Sequence, residues 1–142
     1  MSPLQVPPNC DLTLGLSCVE KSTPGTTRWE MVADERFSNP AGLLQGGILS
    51  AFIDSAMGAS VVTFEKARSN RPIVVANTEL HTSFLKAVPA GARLVCEATV
   101  VSAGERVCFV EASVHDARGR LVARASSTYL VAEAATAAAH RH

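Results

Sequence analysis

The sequence has no excess of charge of either sign, because 13 lysine and arginine residues balance 13 aspartate and glutamate residues. Nucleic-acid binding therefore has no electrostatic support, and near-zero charge does little to keep subunits apart. No uninterrupted apolar run reaches the roughly 18 residues of a membrane span. The first residues, MSPLQVPPN, lack the charged and apolar regions of a secretory signal. We expect a cytoplasmic protein with neither a nucleic-acid partner nor a membrane partner.

Cysteine patterns that bind metals or form disulfide frameworks are also missing. The four cysteines, Cys10, Cys18, Cys96 and Cys108, have no CxxC spacing, and no histidine lies near them at metal-ligand spacing. We interpret them as reduced and mostly buried thiols, and we expect no metal site.

The chain does contain enough apolar residues for a full core. Apolar residues make up 47% of the 142 positions and charged residues 18%. This length and composition are typical of a single domain, which we expect to span residues 1–142 with loose termini at 1–11 and 133–142. The alanine-rich tail from residue 132 onward is expected to be a frayed helical end.

Hydrophobic periodicity predicts a hairpin, one long helix and four further strands. The predicted strands are Leu12–Glu20, Thr26–Ala33, Ile73–Leu85, Arg93–Ser102, Arg106–His115 and Leu121–Val131. In the first strand, alternation places Leu12, Leu14, Leu16 and Cys18 on one face. The helix runs from about Gly46 to about Lys66. We expect an α+β domain, an antiparallel six-stranded sheet wrapped around a central helix, with open edges where a second subunit can add.

The predicted helix carries one polar stripe. Gly47, Ser50, Asp54 and Gly58 are spaced three, four and four residues apart, so they share one face. That face is small and polar. It either leaves room for a ligand or lets another backbone come close.

Asp54 is the most informative residue of this stripe, because its neighbours along the helix are apolar and a buried carboxylate needs compensation. The nearest cation in the helix, Lys66, lies about three turns away. Gly46 and Gly47 stand at the helix start, where backbone N–H groups are unpaired. Donors that hold a substrate oxygen, together with a carboxylate that attacks or activates water, outline an acyl-transfer site.

These residues carry a resemblance to a known family. Asn39, the Gln45-Gly46-Gly47 triplet, Asp54 and the run from Phe84 to Pro89 resemble motifs of the hotdog-fold acyl-CoA thioesterases of the phenylacetate-pathway, or PaaI-like, type. The resemblance covers roughly residues 12 to 132. It implies a hotdog fold, an acyl-CoA substrate, and a dimer or tetramer whose site is completed across a subunit interface. It implies no cofactor, because coenzyme A is part of the substrate, and no metal.

The resemblance also implies a role for individual residues. Asp54 matches the catalytic carboxylate, as a nucleophile or as a general base for water. Gly46 matches the glycine whose N–H polarises the thioester carbonyl, with Gly47 beside it. Asn39 matches a residue that orients water or contacts the thioester. Asp54 is expected to face the partner's helix or its strand near Thr78–Phe84.

Several positions depart from the family pattern or concern substrate binding. Gln45 replaces the usual histidine, and it keeps both donor and acceptor capacity. Gly58 stands where some relatives carry a water-holding hydroxyl, which Ser55, or Thr82 or Ser83 of the partner subunit, can replace. Candidate contacts for the coenzyme A phosphates are Lys86, at a position where some relatives have a serine, and the turn with Gly104 and Arg106.

Other interpretations stay open at this stage. Asn39 also fits an Asx-turn before Pro40, and Gln45 fits a helix-start side chain bonded to the backbone. A non-catalytic acyl-CoA-binding domain is the main alternative function. A less favoured alternative is an enoyl-CoA hydratase that uses His81. The strand pattern more simply predicts that His81 is a half-exposed strand residue. Aryl, short and medium acyl groups all remain candidates.

Overall fold

One long helix lies against one face of a six-stranded antiparallel sheet. The computed structural model describes residues 6–134. The elements are α1 (Asn9–Leu14), β1 (Ser17–Glu20), β2 (Thr26–Val32), a short 3-10 helix (Glu35–Phe37), α2 (Gly46–Ser69), β3 (Ile73–Phe84), β4 (Arg93–Ala103), β5 (Val107–Asp116) and β6 (Leu121–Glu133). The strand order is β1-β2-β4-β5-β6-β3. The predicted α+β architecture is confirmed.

The central helix α2 begins and ends for local reasons. It starts at Gly46, after Gln45 in extended conformation, and contains no proline. It ends where Asn70 adopts a left-handed conformation, with a φ of 51°, and donates its N–H to the Lys66 carbonyl at 3.1 Å. Asparagine tolerates this conformation, so the helix stops there, three residues beyond the predicted end.

The core lies between α2 and the inner face of the sheet. Buried apolar residues of α2 are Leu49, Phe52, Ile53, Ala56, Met57 and Val61. On β2, Trp29 and Met31 are buried while Arg28 and Glu30 are exposed, as the alternation predicted. By length and composition alone α2 is apolar enough to cross a membrane, a test that core helices also pass. Its packing against the sheet accounts for that composition.

The polar stripe of α2 faces β3 and β6. The hydroxyls of Ser50 and Thr82 are 3.5 Å apart, and Asp54 bonds to Asn77. A Cβ added at Gly58 would lie 3.7 Å from the Tyr129 ring. The stripe therefore packs against the sheet from Ser50 to Gly58, whereas at Gly47 nothing lies within 4 Å of an added Cβ and this end of the stripe is open.

The prediction for the N-terminal segment was wrong. Residues Asn9–Leu14 form a short helix in place of the first half of the predicted strand, and Gly15, with a φ of 70°, ends it. Leu12 is 60% exposed, whereas Asp11 is buried and accepts a hydrogen bond from Ser55 at 2.7 Å. The alternating leucines resemble a strand pattern, but the segment contacts α2 through the hydrogen bond that Asp11 accepts from Ser55.

The cysteine prediction was right for two residues and wrong for two. Cys96 and Cys108 are buried, while Cys10 and Cys18 are exposed because the N-terminal segment lies on the surface. All four are free thiols. The prediction of a helical tail from residue 132 onward was wrong at its start, because β6 continues through Glu133. Residues 135–142 lie outside the described residues.

Candidate functional site

Asp54 is half-buried and is held by two neutral donors. Its Oδ1 accepts a hydrogen bond from Asn77 Nδ2 at 3.0 Å and a second one from the Tyr129 hydroxyl. Within residues 6–134, no lysine or arginine pairs with it. One oxygen of the Asp54 carboxylate thus has two hydrogen-bond donors, and no cation among the described residues neutralises its charge.

Both donors come from one cross-strand pair, because Asn77 on β3 lies opposite Tyr129 on β6 at an irregularity in the register. Such bulges commonly re-aim side chains. The side-chain oxygen of Asn77 accepts hydrogen bonds from Ser127 Oγ at 2.5 Å and from the Glu79 N–H at 3.1 Å. These two bonds turn the NH₂ group of Asn77 toward Asp54.

The Tyr129 hydroxyl remains a donor over the whole physiological pH range. Burial raises its pKa well above the ordinary tyrosine value, and the hydrogen bond to Asp54 and the negative charge there raise it further. A neutral hydroxyl therefore points at the carboxylate at any pH where the protein works.

The N-terminus of α2 opens onto a surface pocket of about 310 Å³. The pocket is lined by Asn39, Gly46, Phe84 and Lys86, among other residues. In the described part of the chain, no hydrogen bond uses the N–H groups of Gly46 and Gly47. A Cβ at Gly46 would lie 3.3 Å from the ring of the exposed Phe84, so a side chain here would require that ring to move slightly. Free amide donors and the positive end of the helix dipole thus face the pocket.

Two residues beside this pocket have local roles as well. Asn39 Oδ1 accepts hydrogen bonds from the N–H groups of Ala41 at 2.9 Å and Leu43 at 3.1 Å, which is the Asx-turn interpretation. Gln45 makes no side-chain capping bond, and its carbonyl accepts from Ile48 and Leu49. Asn39 therefore shapes the loop and also contributes to the pocket wall.

A larger pocket of about 730 Å³ lies at the other end of α2. Its lining includes Arg68, Arg71 and Arg106. Arg68 donates to the Gly104 carbonyl at 2.7 Å, and Arg71 pairs with Glu133 at 2.9 Å. Arg106 has no ion-pair partner among residues 6–134, so its charge is available to an anion.

The structure distributes the predicted site residues over three places. Gly46, Asn39 and Lys86 meet at the first pocket, Asp54 lies about 12 Å further along α2, and Gly104 and Arg106 lie at its far end. Ser55 is bonded to Asp11 and Thr82 is near Ser50. Ser83 is exposed.

His81 lies on the outer face of the sheet. Its side chain is 74% exposed, and its nearest charged partner is Glu79 at 3.8 Å. The neighbouring residue Thr82 points the other way, toward α2. His81 is thus a strand residue, as the sequence favoured, but it is more exposed than the predicted half-exposed position. Among the described residues, no group of three His, Cys, Asp or Glu side chains is arranged to hold a metal.

Sequence reasoning missed Asn77, Tyr129 and Asp11. A signal for Asn77 was present, since alternation from Ile73 and Val75 places it on the buried face, where an amide needs a partner. Tyr129 is the only tyrosine in the chain. Its hydroxyl also needs a partner when buried. Which partner it finds depends on the register between β3 and β6.

Comparison with known proteins places the chain in a family. The sequence profile of the thioesterase superfamily matches residues 41–123, more than half of the chain. A Saccharolobus solfataricus protein that is named as an esterase is 30% identical over 112 residues, covering 79% of this chain and 71% of that protein.

Solved structures agree in fold. A phenylacetic acid degradation-related protein of Ralstonia eutropha JMP134 superposes with a TM-score of 0.76, 28% identity, and 91% and 92% of the two chains covered. The PaaI protein of the E. coli phenylacetic acid degradation operon gives 0.77, with 17% identity and 85% and 82% covered. A Streptococcus mutans protein bound to acetyl CoA gives 0.75, with 18% identity and 83% and 89% covered.

The profile match, the esterase relative and the shared architecture converge with the motif around Asp54. The resemblance to PaaI-like proteins and the hotdog fold, expected from the sequence, are confirmed. The chain belongs to the thioesterase superfamily and is a thioester hydrolase.

Proposed function

We propose that the protein hydrolyses acyl-CoA or aryl-CoA thioesters to the free acid and coenzyme A, and that turnover depends on Asp54. The observation that carries this proposal is a half-buried carboxylate held by neutral donors, on a helix whose free N-terminal N–H groups face a pocket. The structural relative bound to acetyl CoA supports the substrate class.

The distance along α2 supports a site shared between two copies of the chain. Gly46 and Asp54 are eight residues apart, which is about 12 Å at 1.5 Å per residue. A single thioester carbonyl cannot accept a hydrogen bond from one and be attacked from the other. Two α2 helices running antiparallel across a two-fold axis would bring Asp54 of one copy to Gly46 of the partner subunit.

The open edge of the sheet offers a place for that second copy. β3 is an edge strand, since it pairs only with β6. An unpaired edge is a template for another chain. β3 also carries Asn77, so a dimer formed at this edge would lie next to Asp54. We propose a homodimer as the minimal active unit, and a tetramer of two dimers as the complete assembly.

The reaction follows from these positions. The Gly46 N–H and the helix dipole stabilise the negative charge that develops on the carbonyl oxygen. Asp54 takes a proton from water, whose oxygen bonds to the carbonyl carbon, or attacks that carbon itself to give a mixed anhydride that water then hydrolyses. The C–S bond breaks and the coenzyme A thiolate leaves and takes up a proton. Asn39 borders the pocket where water enters.

Coenzyme A also carries phosphates that need cationic partners. Arg106, in the turn after Gly104, borders the larger pocket, whose lining holds three arginines and two glutamates, and Lys86 borders the smaller one. Because Arg106 is free of ion pairs in the described part of the chain, we propose it as the main phosphate contact. The exposed apolar side chains Phe84 and Leu85 beside the smaller pocket suit an acyl or aryl group.

The direct test is free-thiol release from a panel of aryl-CoA and straight-chain acyl-CoA substrates. We expect turnover by the natural protein and a loss of about 10³-fold in Asp54→Asn, in line with the loss of a positioned base. Asp116→Asn, a change on a distant turn, is the matched control. Tight binding with no turnover across the panel would favour a ligand-binding domain, and wild-type turnover by Asp54→Asn would remove Asp54 from the mechanism.

Mixing two inactive variants tests the shared site. Gly46→Pro removes the N–H donor at a helix position that accepts proline, and Gln45 already has the extended conformation that a following proline requires. Subunits of Gly46→Pro and Asp54→Asn, mixed and reassembled in equal amounts, should recover about a quarter of wild-type activity, since one site in each mixed dimer is intact. No recovery in dimers shown by mass to be mixed would place both groups of one site on the same subunit.

A further inference from the structure

The two oxygens of the Asp54 carboxylate have different surroundings. Tyr129 and Asn77 both donate to Oδ1, and within the described range no hydrogen bond reaches Oδ2. The carboxylate is therefore fixed in one orientation, with one oxygen bound to the protein and the other free for chemistry.

The two donors are themselves rigidly placed. Asn77 and Tyr129 are opposite each other in the β3–β6 ladder, and Ser127 holds the Asn77 amide from the far side. The Tyr129 ring packs against α2 at Gly58, where an added Cβ would lie at an ordinary contact distance of 3.7 Å. The sheet therefore sets the direction from which each donor reaches the carboxylate.

We propose that Tyr129 is a positioning residue for thioester hydrolysis. Its hydroxyl, assisted by Asn77, binds Oδ1, so that Oδ2 takes the proton from the attacking water while the water oxygen bonds to the thioester carbon. In the anhydride route, Oδ2 is the attacking atom. The inference rests on the proposed function, because it requires Asp54 to be the reacting carboxylate.

Neutral donors suit this task better than a cation. Hydrogen bonds to a carboxylate favour its charged form, and a neutral donor leaves that negative charge in place for proton transfer. The hydroxyl has one proton, and the carboxylate is a stronger acceptor than the Asp54 carbonyl, which lies 3.0 Å from the same hydroxyl. Burial raises the pKa of Tyr129, so the donor persists at alkaline pH.

The other ionisable groups near α2 do not share this arrangement. Those on the elements packed against the helix are Asp11 on α1, Cys96 on β4 and Cys108 on β5, together with Glu65 on α2 itself. Asp11 bonds to Ser55, the residue after Asp54. Glu79 and His81 on β3, which pair with each other, are exposed to solvent. Tyr129 is thus the titratable group in direct contact with Asp54 among the described residues.

The test compares Tyr129→Phe with Thr27→Val. Tyr129→Phe keeps the ring and removes the hydroxyl. Thr27→Val removes another buried hydroxyl that bonds to α2, at the Ala56 carbonyl and Ser60 on a different face. We expect Tyr129→Phe to lower kcat by about 10- to 100-fold with little change in KM, since a hydrogen bond to a charged group is lost. Its pH–rate profile should have the acidic limb moved to higher pH, because the charged form loses a donor.

Thr27→Val should lower the melting temperature while leaving kcat per folded molecule and the pH–rate profile unchanged. If Tyr129→Phe behaves in the same way, the hydroxyl is structural and the proposal is overturned. If Asp54→Asn retains wild-type turnover, it is the proposed function that fails. Loss of activity in Asp54→Asn with an unaltered Tyr129→Phe would reject only the positioning role.

A second variant keeps the test decisive if Tyr129→Phe is unstable. Asn77→Leu keeps the branched shape of the side chain and removes the other donor to Oδ1, while Ser127 keeps its hydrogen bond to the Glu79 carbonyl. It should shift the pH–rate profile in the same direction with a smaller loss of kcat, since a hydroxyl donor remains. An unshifted profile in Asn77→Leu would contradict the proposed geometry.

Discussion

Two carboxylates on the same helix, Asp54 and Glu65, are stabilised in opposite ways. Asp54 is half-buried against the edge strand β3, and it accepts hydrogen bonds from a neutral tyrosine and a neutral amide. Glu65 is 0% exposed and pairs through Oε1 with Arg68, while Oε2 has no partner among the described residues. The two residues lie on one element, three turns apart, in one core.

The difference shows two ways to stabilise a carboxylate, one that leaves its charge unpaired and one that pairs it with a cation. The Arg68 guanidinium neutralises Glu65, bonds to the Gly104 carbonyl and lies 5.0 Å above the Phe64 ring. Burial and the charge of Glu65 raise the pKa of the Cys108 thiol, so that group remains a neutral neighbour. The Glu65 cluster joins the end of α2 to the β4–β5 turn, whereas the Asp54 cluster leaves one oxygen free to react.

The largest expected effect is that neutralising each carboxylate impairs a different property, turnover for Asp54 and stability for Glu65. Asp54→Asn should reduce turnover by about 10³-fold and change the free energy of unfolding little, because asparagine can still accept from Tyr129 and Asn77. Glu65→Gln should keep turnover per folded molecule and lower the free energy of unfolding by about 2 kcal/mol, since a charge-assisted hydrogen bond is lost. Thiol release and urea unfolding on the same preparations measure both.

The contrast between the two carboxylates would be wrong if both variants lost the same property. Loss of turnover in folded Glu65→Gln would make the cluster part of the active site. A large stability loss in Asp54→Asn would mean that its charge is as deeply structural as that of Glu65.

A second prediction concerns Arg68, the cation that pairs with Glu65. Arg68→Ala leaves the buried Glu65 carboxylate without its partner, so it should lower the free energy of unfolding by about 3 kcal/mol or more. Adding Glu65→Gln removes the unpaired charge and should restore at least about 1 kcal/mol relative to Arg68→Ala alone. Strictly additive losses in the double variant, measured by urea unfolding, would mean that the two side chains do not depend on each other.

The contrast between these carboxylates also shows what the sequence could predict. The alternation around Trp29 and Met31 and the proline-free stretch after Gly46 predicted β2 and α2 closely, because periodicity is a local property. The lack of a cationic partner for Asp54 could be predicted because no cation lies near it along the helix. Glu65 gave no such signal, since it stands beside Lys66 in a segment that resembles an ordinary solvated helix end.

The donors to Asp54 could not be predicted for a different reason. Asn77 and Tyr129 are 52 positions apart in the chain. They meet because β3 and β6 pair across a register irregularity between Asn77 and Glu79. Such an irregularity changes which side chains face the helix, and it depends on tertiary contacts. The same limit applies to Asp11, whose contact with Ser55 joins residues 44 positions apart.

The smallest expected effect concerns a third carboxylate, Asp116, which completes the comparison at the surface. It accepts hydrogen bonds from the N–H groups of Arg118 and Arg120 and pairs with the Arg120 side chain at 2.8 Å. The hydrogen bond from the Arg120 backbone, followed by the contacts of its side chain and of Arg118, lowers the pKa of Asp116 below its ordinary value. This carboxylate thus has a cation, as Glu65 does, but the pair lies at the surface, where the side chain of Asp116 is 14% exposed and that of Arg120 is 54% exposed.

Because the pKa of Asp116 is lowered in the folded state, its stabilising effect is present above the ordinary aspartate pKa of about 3.9 and is lost as pH falls through the lowered folded-state value. The melting temperature of the natural protein should therefore exceed that of Asp116→Asn by a small, constant amount between about pH 7 and pH 5, and the difference should vanish near pH 2. High salt should shrink the Asp116 difference while leaving the Glu65→Gln difference nearly unchanged, because exposed charges are screened and buried pairs are not. An equal response of both to salt would contradict the assignment of one pair to the surface and the other to the core.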